Sequence, residues 1–114
     1  MSRTHDPALP QAALELVILR AIAAEPLHGY GIALRIHEAS KDLLRVEEGS
    51  LYPALYRMVQ KRWIKGEWRI TENNRRAKFY RLTKVGEREF EAQASGWLRL
   101  SNAVSRAVAS TDLP

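Results

Sequence analysis

Residues 48–62 read EGSLYPALYRMVQKR, and the reading of this stretch decides the fold. Leu51, Leu55, Met58 and Val59 share one helical face, so the segment is an amphipathic helix with a core side. Ser50 is a residue type that caps helices well, and counted from there Pro53 falls in the first turn, where no intrahelical N–H bond is lost. The other side carries Tyr52, Pro53, Tyr56, Arg57, Gln60 and Lys61. Such a face suits a major groove, which admits one helix and displays donors, acceptors and thymine methyls. Tyrosine brings a hydroxyl and a flat ring, proline an apolar bump, and arginine two parallel donors. A solvated face with half-buried tyrosines is the plain alternative.

Upstream, residues 1–10 hold two prolines and no periodic face, which reads as a flexible tail. Residues 11–24 predict a first helix with Leu14, Val17, Ile18, Ala21 and Ile22 on one side, widened by Leu16 and Leu19. A helix apolar over so much of its girth packs on two sides. Pro26 ends it, and His28-Gly-Tyr-Gly-Ile32 opens a second helix running to about Ser40. A connector follows, with a short strand expected near Leu44–Val46.

Downstream the period changes. Residues 64–72 and 77–82 alternate, and Asn73-Asn74-Arg75-Arg76 between them reads as a hairpin tip, because Asn tolerates positive φ. Thr83 caps a last helix over residues 84–110, and 111–114 form a tail. The chain is therefore mostly α with a small β-hairpin. Residues 11–83 form a winged helix-turn-helix, a nucleic-acid-binding arrangement.

Charge sharpens this reading. Residues 57–81 contain nine cations against Glu67 and Glu72, a local +7 within a chain of +5, so the remainder is net −2. The excess is concentrated on the third helix and the wing. Arg75 and Arg76 sit at the tip, where a wing meets phosphates or a minor groove. There is no cysteine, which removes disulfides, zinc-thiolate sites and thiol nucleophiles and fits a reducing cytoplasm. No apolar run is long enough to span a membrane.

In the last helix Phe90, Ala94, Trp97, Leu98, Ser101, Val104 and Val108 repeat every three or four residues. Left alone, this strip would stay exposed, which marks an interface. A symmetric homodimer, helped by Leu16 of the broad first helix, covers it. It also sets two reading helices about 34 Å apart, the repeat of a duplex. Trp97 lies mid-strip, as an interface anchor or as the wall of an intersubunit cavity for a flat aromatic molecule. Gly96 beside it weakens the helix locally.

Three blocks then resemble one family. Leu27-His-Gly-Tyr-Gly-Ile32, Val46-Glu-Glu-Gly-Ser-Leu-Tyr-Pro-Ala-Leu55 and Arg75-Arg-Ala-Lys-Phe-Tyr-Arg-Leu-Thr83 with Gly86 are similar to the PadR family of bacterial transcriptional regulators, in its short form with a single terminal helix. The resemblance implies a homodimeric repressor on a palindromic promoter site, released by a small molecule. It implies base reading by Ser50, Tyr52, Pro53 and Tyr56, and phosphate contacts by Tyr30, Arg57, Lys61, Arg75, Arg76 and Lys78. It further implies that Trp97 faces a small aromatic effector at the dimer interface.

Rival readings are weaker. Glu47 and Glu48 are adjacent and point apart, and His5, His28 and His37 lack ligand spacing, so neither catalysis nor a metal or other cofactor is expected. His37 reads as a solvated helix residue. A winged helix that binds RNA or a protein partner remains the alternative. A wing used for protein contacts predicts neither palindromic DNA binding nor the steep salt dependence that duplex binding by about five cations per subunit demands, a log–log slope on the order of −9 for a dimer.

Overall fold

Most of the broad apolar girth of the first helix is used within the domain. In the computed structural model, which describes residues 9–112, α1 (Gln11–Ile22) lies at the centre of the domain and touches every other helix. It buries Leu14, Ile18, Leu19, Ala21 and Ile22. Against these pack Ile32 and Ile36 of α2 (Gly29–Ala39) and Leu51, Ala54, Leu55 and Met58 of α3 (Glu48–Gln60). A fully buried Leu or Ile contributes about 1.5–3 kcal/mol, so this cluster dominates the stability of the fold. The expected tail over 1–10 falls largely outside the described residues. Of its end, Leu9 packs on the core, and the Pro10 carbonyl accepts the Leu14 N–H at 2.9 Å.

The sheet has three strands, β1 (Leu27–His28), β2 (Ile64–Ile70) and β3 (Arg76–Leu82), in the order β1-β3-β2, all antiparallel. No strand forms at Leu44–Val46. The third strand lies earlier, where extended residues after Pro26 pair Leu27 with Tyr80 and His28 with Phe79. The connector is pinned instead of paired. Ser40 Oγ accepts the Leu44 N–H at 2.9 Å, and the His37 ring sits 3.0 Å from the Leu44 carbonyl and 3.3 Å from the Asp42 carboxylate. His37 is therefore a bracket for the connector, not simply a solvated residue.

Helix ends depart from expectation in two places. α1 stops at Ile22, two residues early. α3 begins at Glu48, and its first bonds run from Ser50 and Leu51 to the Glu47 carbonyl, at 3.0 and 2.9 Å. Ser50 is thus inside the helix and does not cap it. Pro53 accordingly lies one turn deeper than expected and cannot donate to the carbonyl of Gly49, which is exposed and can bond water. At the other end, Trp63 donates to Met58 and Arg62 to Val59, and Arg62 takes the left-handed conformation with φ 64°. These paired bonds close the helix and turn the chain directly into β2.

α4 (Lys84–Ala109) starts as expected. The Thr83 hydroxyl accepts the Gly86 N–H at 3.0 Å and donates to the Arg62 carbonyl at 2.6 Å. A Cβ at Gly86 would run into the Trp63 carbonyl oxygen, so glycine lets the first turn of α4 press onto the α3–β2 turn. The helix then passes α1 and continues as one element through Gly96. Among the described residues, no helix is long and apolar enough to cross a membrane.

Candidate nucleic-acid interface

The hairpin register decides which wing residues face α3. Gly66, Trp68 and Ile70 pair with Tyr80, Lys78 and Arg76, and alternation places these six on one face. Lys65, Glu67 and Arg69 lie on the reverse with Arg81, Phe79 and Ala77. On that reverse face Glu67 is bound by Arg69 at 3.4 Å and by Arg81 at 3.6 Å, so its charge is answered locally. Arg75, Arg76 and Lys78 form no ion pair among the described residues. The tip is a tight turn: Asn74 has φ 60°, its N–H reaches the Thr71 carbonyl at 2.9 Å, and the Thr71 hydroxyl accepts the Arg75 N–H at 3.2 Å. Arg75 therefore leaves the turn, whereas Arg76 is already the first residue of β3.

Trp68 is 60% exposed, an unusual state for an indole on a strand. The Arg76 guanidinium lies 4.8 Å and the Lys78 ammonium 6.0 Å from its ring centroid. Cation–π attraction holds both charges over one surface. Gly66 makes room for the Lys78 stem, which a Cβ there would meet.

Tyr52 of α3 faces this wing. Its ring end lies against Gly29 at the start of α2, where a Cβ would collide with the Tyr52 hydroxyl. Behind it stands Tyr80, whose phenol is pushed above its ordinary pKa first by burial and then by the neighbouring Tyr52. His28 fixes the start of α2, accepting the Gly31 N–H at Nδ1 (3.0 Å) while its ring meets Phe79 edge-on at 5.0 Å. The result is a cleft of about 540 Å³ between α2, α3 and the wing, lined by Tyr30, Tyr52, Trp68, Arg75, Arg76 and Lys78 among others.

Five of the sequence-predicted residues thus meet in one cleft: Tyr30, Tyr52, Arg75, Arg76 and Lys78. Ser50, Pro53 and Tyr56 are exposed on α3 outside it, Tyr56 at 67%. Arg57 and Lys61 turn elsewhere, toward Glu15 of α1, at 3.2 and 3.3 Å. Trp68, Gly29 and Glu15 were not singled out from the sequence. Trp68 becomes visible once the register is known, and Glu15 is a lone acid inside an apolar run.

A second surface lies across the molecule. Leu16, Phe90, Ala94, Trp97 and Leu98 line a largely apolar cleft of about 510 Å³ between α1 and α4. Beyond it Val104 and Val108 are exposed, and Ser101 is partly covered.

Comparison with known proteins finds relatives of the chain and of its fold. The family model described as "Transcriptional regulator PadR-like family" matches residues 18–92. A PadR-like transcriptional regulator from Bacillus cereus is 28% identical with a TM-score of 0.72, over 85% of this chain and 92% of that one. PadR of Bacillus subtilis, solved in complex with operator DNA, shares the fold at a TM-score of 0.64 and 22% identity, over 92% of this chain and 52% of that one. An uncharacterised 37.1 kDa protein of transposon TN4556 from Streptomyces fradiae is 36% identical over 90 residues, which are 79% of this chain. The matched region spans about a quarter (24%) of that relative's length.

Proposed function

This chain belongs to the PadR-like family of transcriptional regulators, and from that premise we propose that it is a homodimeric repressor. It reads a palindromic promoter site and is released by a small molecule. The observation that carries this reading is the convergence of Tyr52 with three cations that form no ion pair among the described residues, Arg75, Arg76 and Lys78, on one cleft. The tyrosine offers an edge to bases, and the cations suit phosphates on either side. Ser50, Pro53 and Tyr56 extend the base-reading face along α3, while Tyr30 adds a hydroxyl at the α2 end.

What supports the dimer is α4, whose apolar strip continues past the domain, uncovered among the described residues. Two copies paired along it, with Leu16 and Phe90 at the near end, hold two reading faces at the spacing of successive major grooves. Trp97 lies at the edge of the α1–α4 cleft, where an indole can stack on a flat aromatic effector. An effector bound there would act on the packing of α4 and so on the distance between the two reading faces.

The test is selection of bound fragments from genomic DNA with the purified protein. The expected outcome is one palindrome, bound with a log–log salt slope on the order of −5 from the three cleft cations of each subunit, steepening to about −9 where Arg57 and Lys61 also reach phosphates. Failure to enrich any duplex at low ionic strength would reject the reading in favour of an RNA or protein partner.

A further inference from the structure

Among the described residues, Glu15 is the one charged residue in the core, with a side chain 5% exposed. It sits on α1, and its two oxygens are divided between two cations of α3. Arg57 donates from Nε to Oε2 at 3.2 Å, and Lys61 donates from Nζ to Oε1 at 3.3 Å. Gln11 adds a third donor at 3.4 Å. A buried carboxylate without such partners would be strongly disfavoured, so the pairs are obligatory once Glu15 is inside. The cations themselves are only partly covered, with 35% and 41% of their side chains exposed. Lys61 is further fixed by the Trp63 ring, 4.4 Å from its ammonium.

An arginine has five N–H donors in a rigid plane. The bond to Glu15 uses the single Nε–H and fixes that plane. The two terminal nitrogens make no hydrogen bond among the described residues, and they are the pair that can grip a phosphate in two-point fashion. We propose that Glu15 is a positioning residue for DNA binding. It holds Arg57, with Lys61 one helical turn on, as a preset phosphate clamp at the end of the reading helix. The inference rests on the DNA-binding reading above and deepens it. The carboxylate lowers the local positive charge by one, so its benefit lies in geometry: two flexible side chains are ordered before DNA arrives.

That opposition of charge and geometry gives the test its sign. Glu15→Gln keeps the shape and one acceptor oxygen and makes each subunit more positive by one. Charge alone predicts tighter binding to every duplex. Positioning predicts that binding to the selected palindrome weakens roughly tenfold, the scale of one lost charged hydrogen bond, while binding to a random duplex of equal length does not weaken. Arg57→Lys leaves the charge unchanged but cannot both bond Glu15 and offer a planar pair of donors, so it should show the same selective loss. It decides the matter if the glutamine variant melts below the assay temperature. Parallel tightening on both duplexes, or no change on either, overturns the clamp and leaves Glu15 a buried charge alone. A wild-type protein that ignores duplexes altogether overturns the DNA-binding reading and the clamp with it, whereas normal wild-type binding with unaffected variants overturns only the clamp.

Discussion

Tyr52 and Val104 are almost equally exposed, at 48% and 51%, for opposite reasons. Tyr52 stands on structure: Gly29 fits beneath its hydroxyl end, Tyr80 lies behind it, and α3 is sewn to the core by Leu51, Ala54 and Leu55. Its exposure is that of a rigid surface. Val104 stands on the part of α4 that has passed α1, with Leu100 and Val108 exposed on either side. A helix of 26 residues is about 39 Å long, more than the domain beside it can cover. One surface is stiff and cationic and suits a partner of fixed shape and opposite charge. The other is apolar and unsupported and needs cover before anything else.

If the second surface is a seam between two copies, the largest effect belongs there. Val104→Asp would bury a carboxylate twice by symmetry, at a cost of several kcal/mol each, which is enough to abolish the dimer at micromolar concentration. Light scattering should report monomers, with an unchanged helical spectrum, because Val104 takes no part in the core. A dimer that persists would move the interface off α4 and break the contrast between the two surfaces.

The next effect tests the stiff surface as a whole. Arg75→Ala with Arg76→Ala removes two wing cations per subunit. Binding should fall by roughly a hundredfold on palindromic and random duplexes alike, and the dimer's salt slope should flatten by about 3–4. A slope that stays the same takes the wing out of the interface, and the cleft would then need another occupant.

Much of this arrangement was legible before the structure, and the reason is locality. The stripe of α1, the outward tyrosines of α3, the Asn74 turn and the Thr83 cap each depend on residues within a few positions of one another. What escaped depended on distance or on competition. β1 is two residues long and exists only because β3 presents an edge to Leu27 and His28. The start of α3 was misplaced because Ser50 suits a cap, yet the Glu47 carbonyl takes the first helical bonds without any side-chain help. Arg57 and Lys61 were counted with the free cations because their partner lies 42 and 46 residues away. The clue was Glu15 itself, a single acid between Leu14 and Leu16, since a charge on a core face implies counter-charges elsewhere. Trp68 is not legible in the sequence because alternation alone does not say which strand faces share a surface.

Smaller substitutions separate reading from holding on within the stiff surface. Tyr52→Ala should cost about 1–3 kcal/mol on the palindrome and little on random duplex, unlike the wing double variant. Equal losses on both would make Tyr52 a support for the cleft and not a base reader. Tyr52→Phe asks the finer question. The hydroxyl makes no hydrogen bond among the described residues, and it fills the space that a side chain at Gly29 would need, so removing it leaves no internal partner unsatisfied. Folding stability should therefore hold in thermal melts. If the hydroxyl meets a base edge, the phenylalanine variant should lose about 0.5–1.5 kcal/mol of palindrome binding, the net value of one hydrogen bond, with random duplex untouched. If the ring alone makes the contact, against a thymine methyl, Phe should bind as Tyr does and the whole alanine effect should trace to the ring.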